Sequence, residues 1–94
     1  MTGGCKVQAR KALKIRDLCR KRLLDAVDAG TLIGKRGHDK AHFLIACIEE
    51  AGVAYGRADA GRCDSAAWPF RSALEFVRMA NRSDRARKRL EAGG

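Results

Sequence analysis

An all-α bundle of three or four helices is the fold this sequence predicts, and three features of it carry that reading. There is one proline, strand-like alternation is scarce, and sixteen alanines favour helix along the 94 residues. Glycine clusters divide the chain into three long segments whose apolar residues recur at helical spacing. The length admits one domain, residues 1–94. A chain this short buries only about two-thirds of its unfolded surface, so a homodimer is expected to stabilise it.

The first helix is predicted over about residues 6–29 and ends at Gly30, with Ile15, Cys19, Leu23 and Ala26 on one face. Leu13, Leu24 and Val27 flank that stripe. Gly30–Gly37 reads as a loop, in which Leu32 and Ile33 are expected to tuck against the core. A second helix spans about 39–55, starting near His38 or Asp39, and its stripe of Leu44, Cys47, Ile48, Ala51 and Tyr55 makes it central. Phe43 and Ile45 widen its apolar arc. Gly52 inside it costs about 1 kcal/mol relative to alanine, which points to a close helix crossing or a helix end there. Gly56–Asp64 forms the second connection, and a third helix covers about 65–81 with Phe70, Ala73, Leu74, Val77 and Ala80 facing inward. With its cap at Asp64 or Ser65, Pro69 falls near the first turn, where its missing N–H costs little. Residues 83–91 either continue this helix or form a short fourth one capped by Ser83 and Asp84.

Twenty Lys and Arg against eleven Asp and Glu give a formal charge of +9, which implies an acidic partner. That charge is uneven: residues 1–22 hold eight basic and one acidic residue, residues 23–70 five and seven, and residues 71–94 seven and three. Two basic ridges are therefore expected on either side of a slightly acidic centre. Arg10, Lys11, Lys14, Lys21 and Arg22 make the first, and Arg71, Arg78, Arg82 and Arg89 the second, with Glu75 placed to pair with Arg71 or Arg78. Ordinary solvated helix faces carry the same residue types, so the ridges are candidates on arrangement and not on composition. Arg16 and Arg20 project between apolar residues, which suggests snorkelling, contact with an acidic partner, or a dimer seam together with Leu13 and Leu24.

Met1–Lys6 lacks the apolar core of a secretory signal, and no stretch nears the roughly 20 apolar residues of a membrane span. The expected location is the cytoplasm, with no membrane partner. Cys5, Cys19, Cys47 and Cys63 contain no C-x-x-C pair, so the expectation is reduced thiols: Cys19 and Cys47 in the core, Cys5 and Cys63 exposed in loops.

His38 and His42 stand at i, i+4 but lack the glutamate of a metalloprotease helix or any paired cysteines, so no metal and no cofactor is expected. Neither a nucleophile-and-base set nor a nucleotide fingerprint is present, and Glu49 and Glu50 point about 100° apart on one turn. No catalytic residue is expected. Gly34-Lys35-Arg36-Gly37 has the glycines and cations of a phosphate-contacting turn, which brings Lys35 and Arg36 into the candidate set; a plain charged loop has them too. A helix-turn-helix with Ala51-Gly52-Val53 as its turn fits poorly, because the following segment contains Gly56 and Gly61. Trp68 reads either as a lid on the core or, with Phe76 and Met79, as an apolar patch for a partner. The aromatics are not interleaved with the basic runs, which argues against a stacking platform for single strands. The reading that follows is a basic, non-enzymatic nucleic-acid-binding protein working through phosphate contacts. Its alternative is an adaptor or inhibitor docking on an acidic protein surface, as accessory proteins of phages and other mobile elements do.

Overall fold

The computed structural model describes residues 3–93, which form three helices, α1 (Gly3–Ala29), α2 (Gly34–Asp59) and α3 (Cys63–Gly93). They lie up, down and up in a rod of 54 × 20 × 16 Å, with α2 in the middle; α1 and α3 meet far less than either meets α2. The four-helix alternative is not what forms. Residues 83–91 belong to α3, and Asp84 is an interior residue of it and not a cap.

Both connections are shorter than the glycines suggested, because each helix ends in a compact left-handed cap. Gly30 (φ 68°) donates to the Val27 carbonyl at 3.1 Å and Thr31 to that of Ala26 at 3.1 Å. Gly61 (φ 82°) repeats the arrangement, donating to Ala58 at 3.0 Å while Arg62 donates to Arg57 at 2.8 Å. A glycine at this position satisfies two orphan carbonyls without a Cβ penalty, so three or four residues suffice to reverse the chain. Residues 34–37, expected in a loop, are instead the first turn of α2, and Ile33 stays 78% exposed instead of tucking inward.

Gly37 is buried where the loop crosses the start of α2. A Cβ there would lie 2.6 Å from the Leu32 carbonyl carbon and 2.7 Å from the Thr31 oxygen, and backbone cannot move aside as a side chain can. Gly52 marks neither a helix end nor a tight crossing, since α2 runs through it and nothing lies within 4 Å of a Cβ built on it. The two glycines thus predict opposite signs: Gly37→Ala lowers stability by about 2 kcal/mol through overpacking, and Gly52→Ala raises it by about 0.5–1 kcal/mol through helix propensity. Urea midpoints of the two variants check this, and a stabilised Gly37→Ala would refute the crossing.

Pro69 is the seventh residue of α3, deeper than the first turn. Its ring leaves the Ser65 carbonyl without a helical donor. Arg57, in the last turn of α2, supplies one: its Nη1 donates to the Ser65 oxygen at 2.9 Å.

The core is built from small residues. Its buried apolar positions include Ala12, Ala26, Ala51, Ala54, Ala66, Ala73, Ala80, Cys19 and Cys47, and Leu44 is the largest side chain wholly enclosed. Ile15, Leu23, Phe43, Ile48, Phe76 and Val77 pack partly buried against one cluster, and Tyr55 closes a second around Ala9, Ala58 and Ala66. Small side chains let the helices approach closely but each removes little apolar area from water. A disulfide offsets part of that shortfall: Cys5 and Cys63, expected as exposed loop thiols, are bonded across the N-terminal ends of α1 and α3. They are 58 residues apart in sequence with their Cα atoms at 5.3 Å, because an up-down-up chain returns to its starting end.

Candidate nucleic-acid interface

On α3, Arg71, Glu75, Arg78, Arg82, Arg85 and Arg89 follow one another at steps of four and three residues, and all are exposed. At 3.6 residues per turn these positions share an arc of about 80°, opposite the buried Ala73 and Ala80, and rise about 27 Å along the axis. The unbroken helix makes this seam, since a break at Ser83 would have rotated Arg85 and Arg89 away from Arg71 and Arg78. The ridge predicted from the sequence omits Arg85, although it stands three residues after Arg82 and four before Arg89. Arg71, Arg82, Arg85 and Arg89 have no ion-pair partner among the described residues. Arg78 meets Glu75 at 3.6 Å, an exposed pair that holds little of its charge back.

The lower end of the seam widens into a groove between α2 and α3. Arg36, Phe43, Met79, Arg82, Ser83 and Ala86 line a hollow of about 380 Å³, and Arg82, Arg85, Ala86 and Arg89 line a second of about 250 Å³ beside it. Ser83 Oγ donates to the Arg36 carbonyl at 3.4 Å, holding the first turn of α2 against α3. Arg36 therefore joins the α3 ridge, while Lys35 is exposed on the same turn. Phe76 does not contribute to an exposed patch: it stacks on Phe43 at 6.5 Å between centroids and packs against the core.

Trp68 is no lid. It is 73% exposed and stands three residues before Arg71, where helical geometry sets it about 20° beyond the edge of the arginine arc. An aromatic ring thus heads the basic seam, contrary to the expectation that rings and cations would be separated. That relation required helix continuity from residue 68 to residue 89, which local patterning left open.

The first ridge is divided. Arg10 and Lys6 border a hollow of about 470 Å³ with Leu13, Tyr55, Ala58 and Asp59, and Lys11 and Lys14 are exposed nearby. Further along, Arg20, Lys21 and Leu24 lie among Asp17, Asp25 and Asp28, and Lys21 pairs with Asp25 at 3.5 Å. Arg22 sits elsewhere, bordering a hollow with Lys40, Arg87 and Lys88. Arg16 lies 5.9 Å over the Tyr55 ring of its own chain, so no second subunit is needed to accommodate it.

Beneath the lower seam is an ion cluster that sequence patterning did not show. Lys40 is buried, and its Nζ donates to Asp84 Oδ1 at 3.1 Å, while Arg87 Nη2 donates to the same oxygen at 2.9 Å. Lys88 approaches Oδ2 at 3.6 Å, and Arg87 also reaches Glu91 at 2.8 Å. Burial by itself would raise the Asp84 carboxyl; the hydrogen bonds from Arg87 and Lys40 and the nearby cations outweigh it and hold it down at about 2. This cluster consumes Lys40 and Arg87 within the fold, leaving the outward arginines as free charge. His38 and His42 lie one turn apart on α2, both exposed, with His42 edge-on to Phe43 at 5.8 Å. Among the described residues no three His, Cys, Asp or Glu side chains converge, and no helix is long and apolar enough to cross a membrane.

Fold and surface together define a basic, alanine-cored three-helix bundle with an arginine seam on its third helix. Comparison with known protein families, with curated proteins and with solved structures finds no match.

Proposed function

We propose that this chain is a non-enzymatic nucleic-acid-binding protein that tracks the phosphate backbone with α3. The observation that carries the reading is the seam of five exposed arginines, interrupted by one glutamate over about 27 Å. Guanidinium groups match phosphate oxygens as forked donors and stay protonated at neutral pH, so they suit charge recognition and not proton transfer. The α1 ridge is subordinate, because three carboxylates are interspersed along its second half. Arg36, Phe43 and Met79 beside Arg82 add an apolar floor next to the cations, and exposed Trp68 adds a stacking face at the seam's other end. Base stacking on such a ring is worth about 1–3 kcal/mol and needs an unpaired base, which favours single strands over duplex.

Titration of labelled single-stranded RNA, single-stranded DNA and duplex DNA at low and near-physiological salt tests this. Expected are micromolar or tighter binding that persists near 150 mM salt, a steep salt slope, and tighter capture of single strands. Trp68, the chain's only tryptophan, reports directly: its fluorescence is quenched when a base stacks on it. Binding that vanishes at physiological salt would reduce the charge to nonspecific attraction and return the acidic protein surface as the better reading.

A further inference from the structure

We propose that Cys19 and Cys47 form a second disulfide, joining α1 to α2 through the middle of the core. Both side chains are wholly buried, and their sulfurs stand 2.6 Å apart. A covalent S–S bond is about 2.05 Å, so closing the bond asks for a shift of only about 0.6 Å, within the rotameric play of two facing side chains. Each sulfur has the other as its polar partner, and Leu44, Ala51, Ala73 and Ala80 fill the same cluster.

The position of the pair supports the same assignment. Cys5 already binds α1 to α3 at one end of the rod, and Cys19 lies 14 residues further along α1, about 21 Å by helical rise. Two bridges so separated fix α1 against both sliding and rotation. A core of alanines around a single enclosed leucine leaves a small bundle in need of such staples. All four cysteines are then used, each pair joining two helices.

The bond forms by thiol–disulfide exchange with a small-molecule disulfide such as oxidised glutathione. One protein thiolate attacks the oxidant, releasing one small thiolate and leaving a mixed disulfide; the second protein thiolate then attacks the protein sulfur of that bond and expels the other. The two protein thiol protons pass by way of solvent to the two expelled thiolates and two electrons pass to the oxidant, so its S–S bond becomes two thiols. Because both sulfurs are enclosed in the finished bundle, the exchange precedes the docking of α1 on α2.

The full chain is refolded in reduced and oxidised glutathione, alkylated in denaturant without reductant, and digested with trypsin. The cysteines fall on separate peptides, residues 1–6, 17–20, 41–57 and 63–71. Expected are an intact mass four hydrogens below the reduced chain and a cross-linked species joining 17–20 to 41–57. Recovery of Cys19 and Cys47 as alkylated thiols beside an intact Cys5–Cys63 bridge would overturn the proposal, as would either residue bridged to Cys5 or Cys63. In the double variant Cys5→Ser, Cys63→Ser, reductant is expected to lower the melting temperature by about 10 °C or more; an unchanged melting temperature would count equally against it.

Discussion

Replacing Arg82, Arg85 and Arg89 together by glutamine is expected to weaken binding to nucleic acid by two to three orders of magnitude near 0.1 M salt. The magnitude follows from counterion release. Each phosphate contact contributes about 0.9 to the slope of log K against log salt on duplex and about 0.7 on single strands, so three lost contacts flatten it by about two to three. Extrapolated from 1 M salt, where the electrostatic contribution is small, that change amounts to about 100- to 500-fold at 0.1 M. These side chains are exposed and unpaired among the described residues, so the variant keeps the fold and its circular dichroism. Arg20→Gln with Lys21→Gln is the matched control, because those cations already lie among Asp17, Asp25 and Asp28. A triple variant with an unaltered salt slope would remove α3 as the interface, whatever its absolute affinity.

Asp84→Asn is expected to cost about 2 kcal/mol at neutral pH. Its carboxyl falls from 3.8 to about 2 on folding, and each unit is worth about 1.4 kcal/mol. The group is only 18% exposed and Lys40 only 11%, so solvent screens the pair weakly. Asp84→Ala costs more, about 3 kcal/mol, since it leaves Lys40 buried without its partner. The depressed value also fixes the pH dependence. Stabilisation by Asp84 is complete above its unfolded value near 4 and is lost as pH falls from about 4 through about 2, where the folded carboxylate takes up its proton. Urea unfolding at pH 7, 4 and 2.5 should show the wild type converging on Asp84→Asn in acid. A constant gap between them across that range would mean that Asp84 is not the titrating group.

Legibility in the sequence followed the range of the interaction. The helical class, the central place of α2 and the inward stripe through Leu44, Cys47 and Ala51 rest on periodicity within a few turns, and side chains at i, i+3 and i+4 share a face whatever else the chain does. The outward arginines of α3 were legible for the same reason, apart from Arg85. Loop lengths were not. Glycine-rich stretches around residues 34 and 56 predict connections, whereas α2 starts at Gly34 and runs on through Gly56 to Asp59.

Local sequence determined that this chain is helical, that its cations concentrate in its first and last segments, and which face of each helix is apolar. Tertiary structure decided the rest, because it depends on residues far apart in the chain meeting in space. Pairing of Lys40 with Asp84, 44 positions away, keeps residues 83–91 docked on α2 as part of one α3. That continuity aligns Trp68 with Arg89 along a single seam. The return of the chain likewise brings Cys5 to Cys63, and sets Cys19 against Cys47 in the core, contacts that no local periodicity encodes.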